Sequence, residues 1–293
     1  MNKYTFLCYA LFMIIIFFCN CDNTRFGKAV IMDAEAMIYI EGGTKLLSGR
    51  NVTVSDFKIG ACEVTFNKWS AVISWALSNG YKFKKNGVCG SGTDSDLHPV
   101  TTISWKDAIV WCNAYSAMSG LTPCYYKKGY PLIIQNICKD ASLDADLSND
   151  CVLWSANGYR LPTDAEWEYA AKGAKLSKNY IYAGGNSIEE VAWYGLNSDG
   201  STHSVGCKYA NEIGLYDMSG NVFEFCWDWW KSNLGTIPET DPRGPDAGVY
   251  KSIRGGGWKY SEDLSWFETG YHGSGSKPDL YGDYIGFRLA KSK

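Results

Sequence analysis

From Cys207 to the C-terminus, glycine interrupts the chain every few residues. That spacing argues against long helices in the second half and leaves room only for short strands joined by turns, because glycine weakens both regular structures from inside. The first half carries a different signal. Thr65 precedes Trp69, Val72, Ile73, Ala76 and Leu77, spaced to form one apolar helical face, and Gly80 stops the run. Ser104 and Asp107 make a capping-box-like start for Ala108, Trp111, Cys112 and Tyr115, closed by Gly120. Thr163 and Glu166 form a T-x-x-E capping box ahead of Trp167, Ala170 and Ala171, and Gly173 ends that helix. Residues 52–59 alternate as one half-buried strand. Residues 124–154 and 232–250 have little periodicity and are expected to be long loops, which are uncommon unless they serve a function or are pinned by disulfides. Few helices, short strands and a large irregular fraction predict an α+β fold. No linker-like composition divides it, so residues 31–293 are expected to form one domain.

The N-terminus precedes that domain. Lys3 is followed by a nearly uninterrupted apolar run over residues 6–18, ending in Cys19-Asn20-Cys21-Asp22. The run is short for a membrane-spanning helix and fits a secretory signal over residues 1–20, with a tether over 21–30. A cysteine placed there resembles the lipobox of bacterial lipoproteins. That resemblance implies lipidation of Cys21, with Cys19 as the alternative and an unlipidated cleaved signal as the plainer reading. It also implies an exported chain anchored to a bacterial membrane, at the outer cell surface. Export bears on the remaining cysteines, Cys62, Cys89, Cys112, Cys124, Cys138, Cys151, Cys207 and Cys226: some could pair, while buried thiols account equally well for several. No C-x-x-C pair is present and the histidines are His98, His203 and His272, so a structural zinc site is not expected.

The formal net charge is −3 with no long basic run, which argues against nucleic acid as a partner, because phosphate binding needs a basic stripe. Aromatic residues reach 15%, enough for a core and for a recognition surface as well. No G-x-S-x-G elbow, H-E-x-x-H or phosphate-cradling glycine loop occurs. Asp164, Glu166 and Glu168 lie close together, but Glu166 is the capping partner and the other two read as a solvated helix face.

Several blocks, in order, resemble one family. Gly158-Tyr-Arg-Leu-Pro-Thr-Asp-Ala-Glu-Trp-Glu-Tyr-Ala-Ala171 and Gly214-Leu-Tyr-Asp-Met-Ser-Gly-Asn-Val-Phe-Glu-Phe225 are two of them. Arg254-Gly-Gly-Gly-Trp258, Ile285-Gly-Phe-Arg288 and, in the first half, Cys62-Glu-Val-Thr65 are others. They resemble the formylglycine-generating-enzyme (sulfatase-modifying-factor) domain, a variant of the C-type-lectin-like fold, from about residue 35 to the C-terminus. The resemblance implies a structural calcium ion held by the Asp217 and Glu224 carboxylates and the Gly220 and Val222 carbonyls, hard oxygen donors that suit calcium. A tight turn in which Asp217 and Glu224 merely cap amides is the alternative. In the oxidase members two cysteines after the RGG-x-W block bind copper. Between Trp258 and Lys293 this chain has no cysteine, so no copper and no oxidase activity are expected.

Between Trp258 and Ile285 the composition is dominated by Tyr, Ser, Gly and Asp, the residue set of antibody loops. Most of those codons lie one or two changes from an Asn codon. Composition and position together resemble the variable region, about residues 254–289, of diversity-generating-retroelement target proteins. That implies a non-enzymatic receptor or adhesin whose ligand, an unknown protein or surface molecule, meets Tyr260, Ser261, Asp263, Trp266, Tyr271, His272, Ser274, Asp279, Tyr281, Asp283 and Tyr284. An extracytoplasmic oxidase and an invariant accessory lipoprotein are the rival classes, and an ordinary solvated loop is the plainer reading of the segment.

Overall fold

The computed structural model describes residues 33–90, 97–142 and 147–293. The expected signal, the tether and Cys21 lie outside them. Among the described residues there are four α-helices, α1 (Phe66–Ser78), α2 (Trp105–Met118), α3 (Asp164–Ala171) and the single-turn α4 (Ile188–Val191). The caps form as expected. The Thr65 hydroxyl accepts from the Lys68 amide, and both halves of the boxes at Ser104/Asp107 and Thr163/Glu166 are made. Gly80, Gly120 and Gly173 all adopt positive φ just beyond their helices.

Two four-stranded sheets organise the rest. The first runs Met37–Ile40, Phe57–Gly60, Ala290–Ser292, Tyr159–Arg160, so the last strand of the chain pairs antiparallel with one of the first. The second runs Gly275–Ser276, Lys251–Arg254, Phe223–Trp229, Ile285–Gly286. A three-stranded sheet of Gly43–Leu47, Arg50–Val54 and Glu239–Thr240 lies alongside. The largest core cluster joins α1, α2 and the second sheet. Trp69 and Trp111 stack at 5.7 Å, and Phe287 meets both edge-on. Burying aromatic rings on this scale is the main favourable term holding the layers together.

The structure differs from the sequence-based expectations in three places. Residues 52–59 are two strands, Arg50–Val54 and Phe57–Gly60, in different sheets. Ser55 and Asp56 break the run by binding elsewhere: Ser55 donates to Asp241, and Asp56 accepts from Tyr39 and the Gly42 amide. The second half holds a seven-residue strand, Phe223–Trp229, with every residue buried, longer than the glycine spacing suggested. The long loop over 124–154 is held by backbone bonds such as Tyr126 N–H to Cys151 O and Leu153 N–H to Cys124 O. Cys112, Cys124, Cys151 and Cys226 are buried thiols outside any disulfide, whereas Cys207 is disulfide-bonded. Burial pushes the Cys124 thiol up to about 11, away from reactivity.

Candidate ligand-binding face

The segment after Lys251–Arg254 leaves the second sheet through Gly255 and Gly256, both at positive φ. A side chain at Gly256 would come within 2.4 Å of the Phe267 ring, so the backbone can pass only as glycine. Arg254 anchors the segment from below. Its Nε donates to Asp164 Oδ1 at 2.7 Å, one Nη2 bond reaches Asp164 Oδ2 at 2.9 Å, another reaches Glu168 Oε2 at 2.7 Å, and Nη1 donates to the Tyr271 carbonyl. All three side chains are buried. Asp164 and Glu168 are therefore interior ion-pair partners, not the solvated helix face expected from sequence. They lie one turn apart on α3, at its first and fifth residues, and burial that would raise them is outweighed by partners led by Arg254, which hold both below their ordinary values.

All eleven expected ligand residues are partly or fully exposed. They fall into three groups. Tyr260, Trp266 and Tyr284 meet edge-on around Phe223, with ring centroids 5.0 Å apart for Tyr260–Trp266 and 5.4 Å for Tyr260–Tyr284. Lys259 lies 4.0 Å above Tyr284 and pairs with Asp283 at 2.6 Å. Ser261 packs against Gly195, and Asp263 caps the turn Leu264–Phe267 through the Ser265 amide.

The second group rests on distant lysines. Asp279 bridges Lys84 and Lys106, the latter at 2.7 Å, and Lys85 lies 3.8 Å over the Tyr281 ring. The Lys84 and Lys85 amides are in turn fixed by Asp107, at the start of α2. Sequence reasoning missed these three lysines, since nothing local marks them.

The third group is Tyr271, His272 and Ser274 beside Trp230, which donates to the His272 carbonyl. Here the ring of His272 turns inward. It is 11% exposed, Nδ1 lies 3.2 Å from Asp164 as an ion-pair contact, and Nε2 bonds the Lys231 carbonyl at 2.9 Å. Burial alone would lower it, but Asp164 prevails and raises it. His272 thus belongs to the anchor beneath the surface, a correction to its place among the ligand residues.

All four residues expected to hold calcium are buried. Asp217 adopts positive φ and accepts from the Gly206 amide at 2.7 Å. Glu224 receives two 2.6 Å bonds from Arg288 and one from Trp167 Nε1 on Oε2, which leaves Oε1 with a single donor. Glu63, also buried, holds Asn221 and the Val222 amide. Burial, reinforced by the neighbouring carboxylates, raises Glu63 well above its ordinary value and pushes Asp217 up to about 6, with Arg288 and the half-buried Lys208 opposing the shift of Asp217. A hard cation at Asp217 would relieve that repulsion, and the residues that would hold it are Asp217, Glu224 and the Gly220 and Val222 carbonyls. No group of three or more His, Cys, Asp or Glu side chains among the described residues is arranged to hold a metal, so carbonyl oxygens would have to complete the set.

Comparison with known proteins places this geometry. The sulfatase-modifying factor enzyme 1-like domain matches residues 23–293. The chain is 35% identical over 296 residues to the chaperone protein LppX of Paenibacillus barcinonensis, spanning 91% of this chain and 92% of that one. The solved structure of Treponema denticola variable protein 1 superposes with a TM-score of 0.71 at 31% identity, over 88% of this chain and 95% of the other. The formylglycine-generating enzyme of Thermomonospora curvata is 28% identical over 233 residues, 73% of this chain and 62% of its own length. The expected C-type-lectin-like fold and the likeness to variable proteins are both borne out.

Proposed function

This chain belongs to the sulfatase-modifying factor enzyme 1-like family, and we propose that within it the chain is a non-enzymatic ligand-binding protein, a receptor or adhesin. Its recognition surface is the segment between Trp258 and Ile285, diversified by a retroelement. One observation carries this reading: Arg254, fixed by Asp164 and Glu168, pins the segment from beneath while the side chains above it remain at the surface. A face held that way can change its residues without losing its backbone. Aromatic rings such as Tyr281 would desolvate against a partner, and Ser274, Asp263 and Asp283 would meet its polar groups. The likeness to Treponema denticola variable protein 1 supports the same reading. The chain would be exported, lipid-anchored through Cys21 (Cys19 in the alternative) to a bacterial membrane and displayed at the outer surface, with calcium as a scaffold ion.

Randomising Asp263, Ser274 and Tyr281 together, displaying the library and selecting against an arbitrary folded protein such as lysozyme tests the reading. Folded binders should emerge. A library that mostly fails to fold would overturn it. The kinship to a protein named a chaperone favours a second reading, an accessory lipoprotein that holds client chains. Suppression of aggregation of unfolded clients by the chain, insensitive to changes at Tyr281 and Asp263, would favour that alternative. The kinship to formylglycine-generating enzymes is tested by oxygen uptake with a cysteine-containing peptide and copper, where no turnover is expected.

A further inference from the structure

Residues 127–139 form a protruding loop whose features do not serve the ligand face. Its base is closed by the antiparallel bridge Tyr126–Ile137 and by Cys138 N–H to Tyr125 O. Its interior is ordered by Lys127 N–H to Asn136 O at 2.8 Å, Asn136 N–H to Ile133 O, and Asn136 Nδ2 to Pro131 O at 2.9 Å. Yet the tip carries apolar side chains outward: Tyr130 is 60% exposed, Ile133 49% and Ile134 72%, with Pro131 exposed between them. Single exposed apolar residues are ordinary on a protein surface, but a preorganised tip that presents several together is the pattern of an interaction site.

Charge selects among partners. Lys127 and Lys128 precede the tip, Lys139 at the base donates to the Asn79 carbonyl and lies over the Tyr81 ring, and no acidic residue occurs between Tyr126 and Lys139. The nearest acid along the chain, Asp140, is paired with Lys82 at 3.7 Å. An apolar tip that follows Lys127 and Lys128, in a loop without an acidic residue of its own, matches an anionic lipid surface, where the rings and branched chains enter the headgroup boundary and the ammonium groups stay among the phosphates. We propose that residues 127–139 are a membrane-contact loop that inserts Tyr130, Ile133 and Ile134 into a negatively charged phospholipid surface. The loop would act beside any lipid anchor and would fix the orientation of the domain on the bilayer. The proposal is independent of what the face after Trp258 binds.

The test is amide hydrogen exchange on the full chain, with and without vesicles. On phosphatidylcholine–phosphatidylglycerol vesicles, exchange across residues 128–136 should slow severalfold, while neutral phosphatidylcholine vesicles should have a smaller effect. The double change Ile133→Asn with Ile134→Asn should abolish the slowing. So should Lys127→Gln with Lys128→Gln, which leaves the apolar tip intact and guards against a folding artefact. Any lipid anchor is common to every arm, so it does not decide the outcome. Exchange in the loop that is unchanged by anionic vesicles, or slowed equally in both variants, overturns the proposal and leaves a protein as the partner of the tip.

Discussion

Arg254 reaches Asp164 across 90 positions of sequence, with Nε–Oδ1 at 2.7 Å and both groups buried. This contact joins the last strand before the exposed segment to the first turn of α3. It is the reason that the segment has a fixed floor. Removing one partner of a buried pair leaves an uncompensated charge, which costs about 3–5 kcal/mol. Arg254→Ala should therefore unfold at markedly lower urea concentration than the parent. A midpoint that barely moves would mean that the floor is held by something else.

The same floor is pH-sensitive through His272. Its imidazole is raised above the ordinary 6.5 once Asp164 outweighs burial, so the stability it contributes is fully present below that value. That contribution is lost as pH rises through the raised folded value. The destabilisation caused by His272→Gln should accordingly be larger in mildly acidic than in alkaline buffer. Urea titrations of both proteins across that window check the sign, and a gap that widens with pH would contradict it.

Asp279 and Tyr281 are neighbours on the surface with different roles. Asp279→Ala strips Lys106, whose side chain is 6% exposed, of its carboxylate partner. Because Asp279 itself is half exposed, solvent screening limits the loss to about 1 kcal/mol. Tyr281→Ala removes only an exposed cation–π contact with Lys85 and should stay within about 0.5 kcal/mol of the parent. Thermal unfolding of the two variants distinguishes them, and equal effects would show that the lysine platform does not anchor this stretch.

Calcium should raise the melting temperature of the parent relative to a chelator, since an ion that binds the folded chain alone stabilises it by mass action. The shift should vanish in Asp217→Asn. A parent whose melting temperature ignores calcium would mean that the cluster of Glu63, Asp217 and Glu224 needs no cation beyond Arg288 and Lys208.

The caps at Thr65, Ser104 and Thr163 were legible in the sequence because each partner lies three residues away and the chemistry is local. The family blocks and the composition after Trp258 were legible for the same reason, as contiguous strings. Tertiary structure decided which charges are interior. Asp164 and Glu168 look like a solvated face along α3 and become buried only because Arg254, 90 and 86 positions away, packs against them. His272 turns inward because that same Asp164 waits beneath it, and Asp279 finds Lys84 across 195 positions. The strand over 52–59 divides because Ser55 and Asp56 bind partners in other elements. Local pattern fixes where helices start and which residues are available to a surface. Burial and pairing depend on what the folded chain brings opposite, and no short window of sequence contains both sides of those contacts.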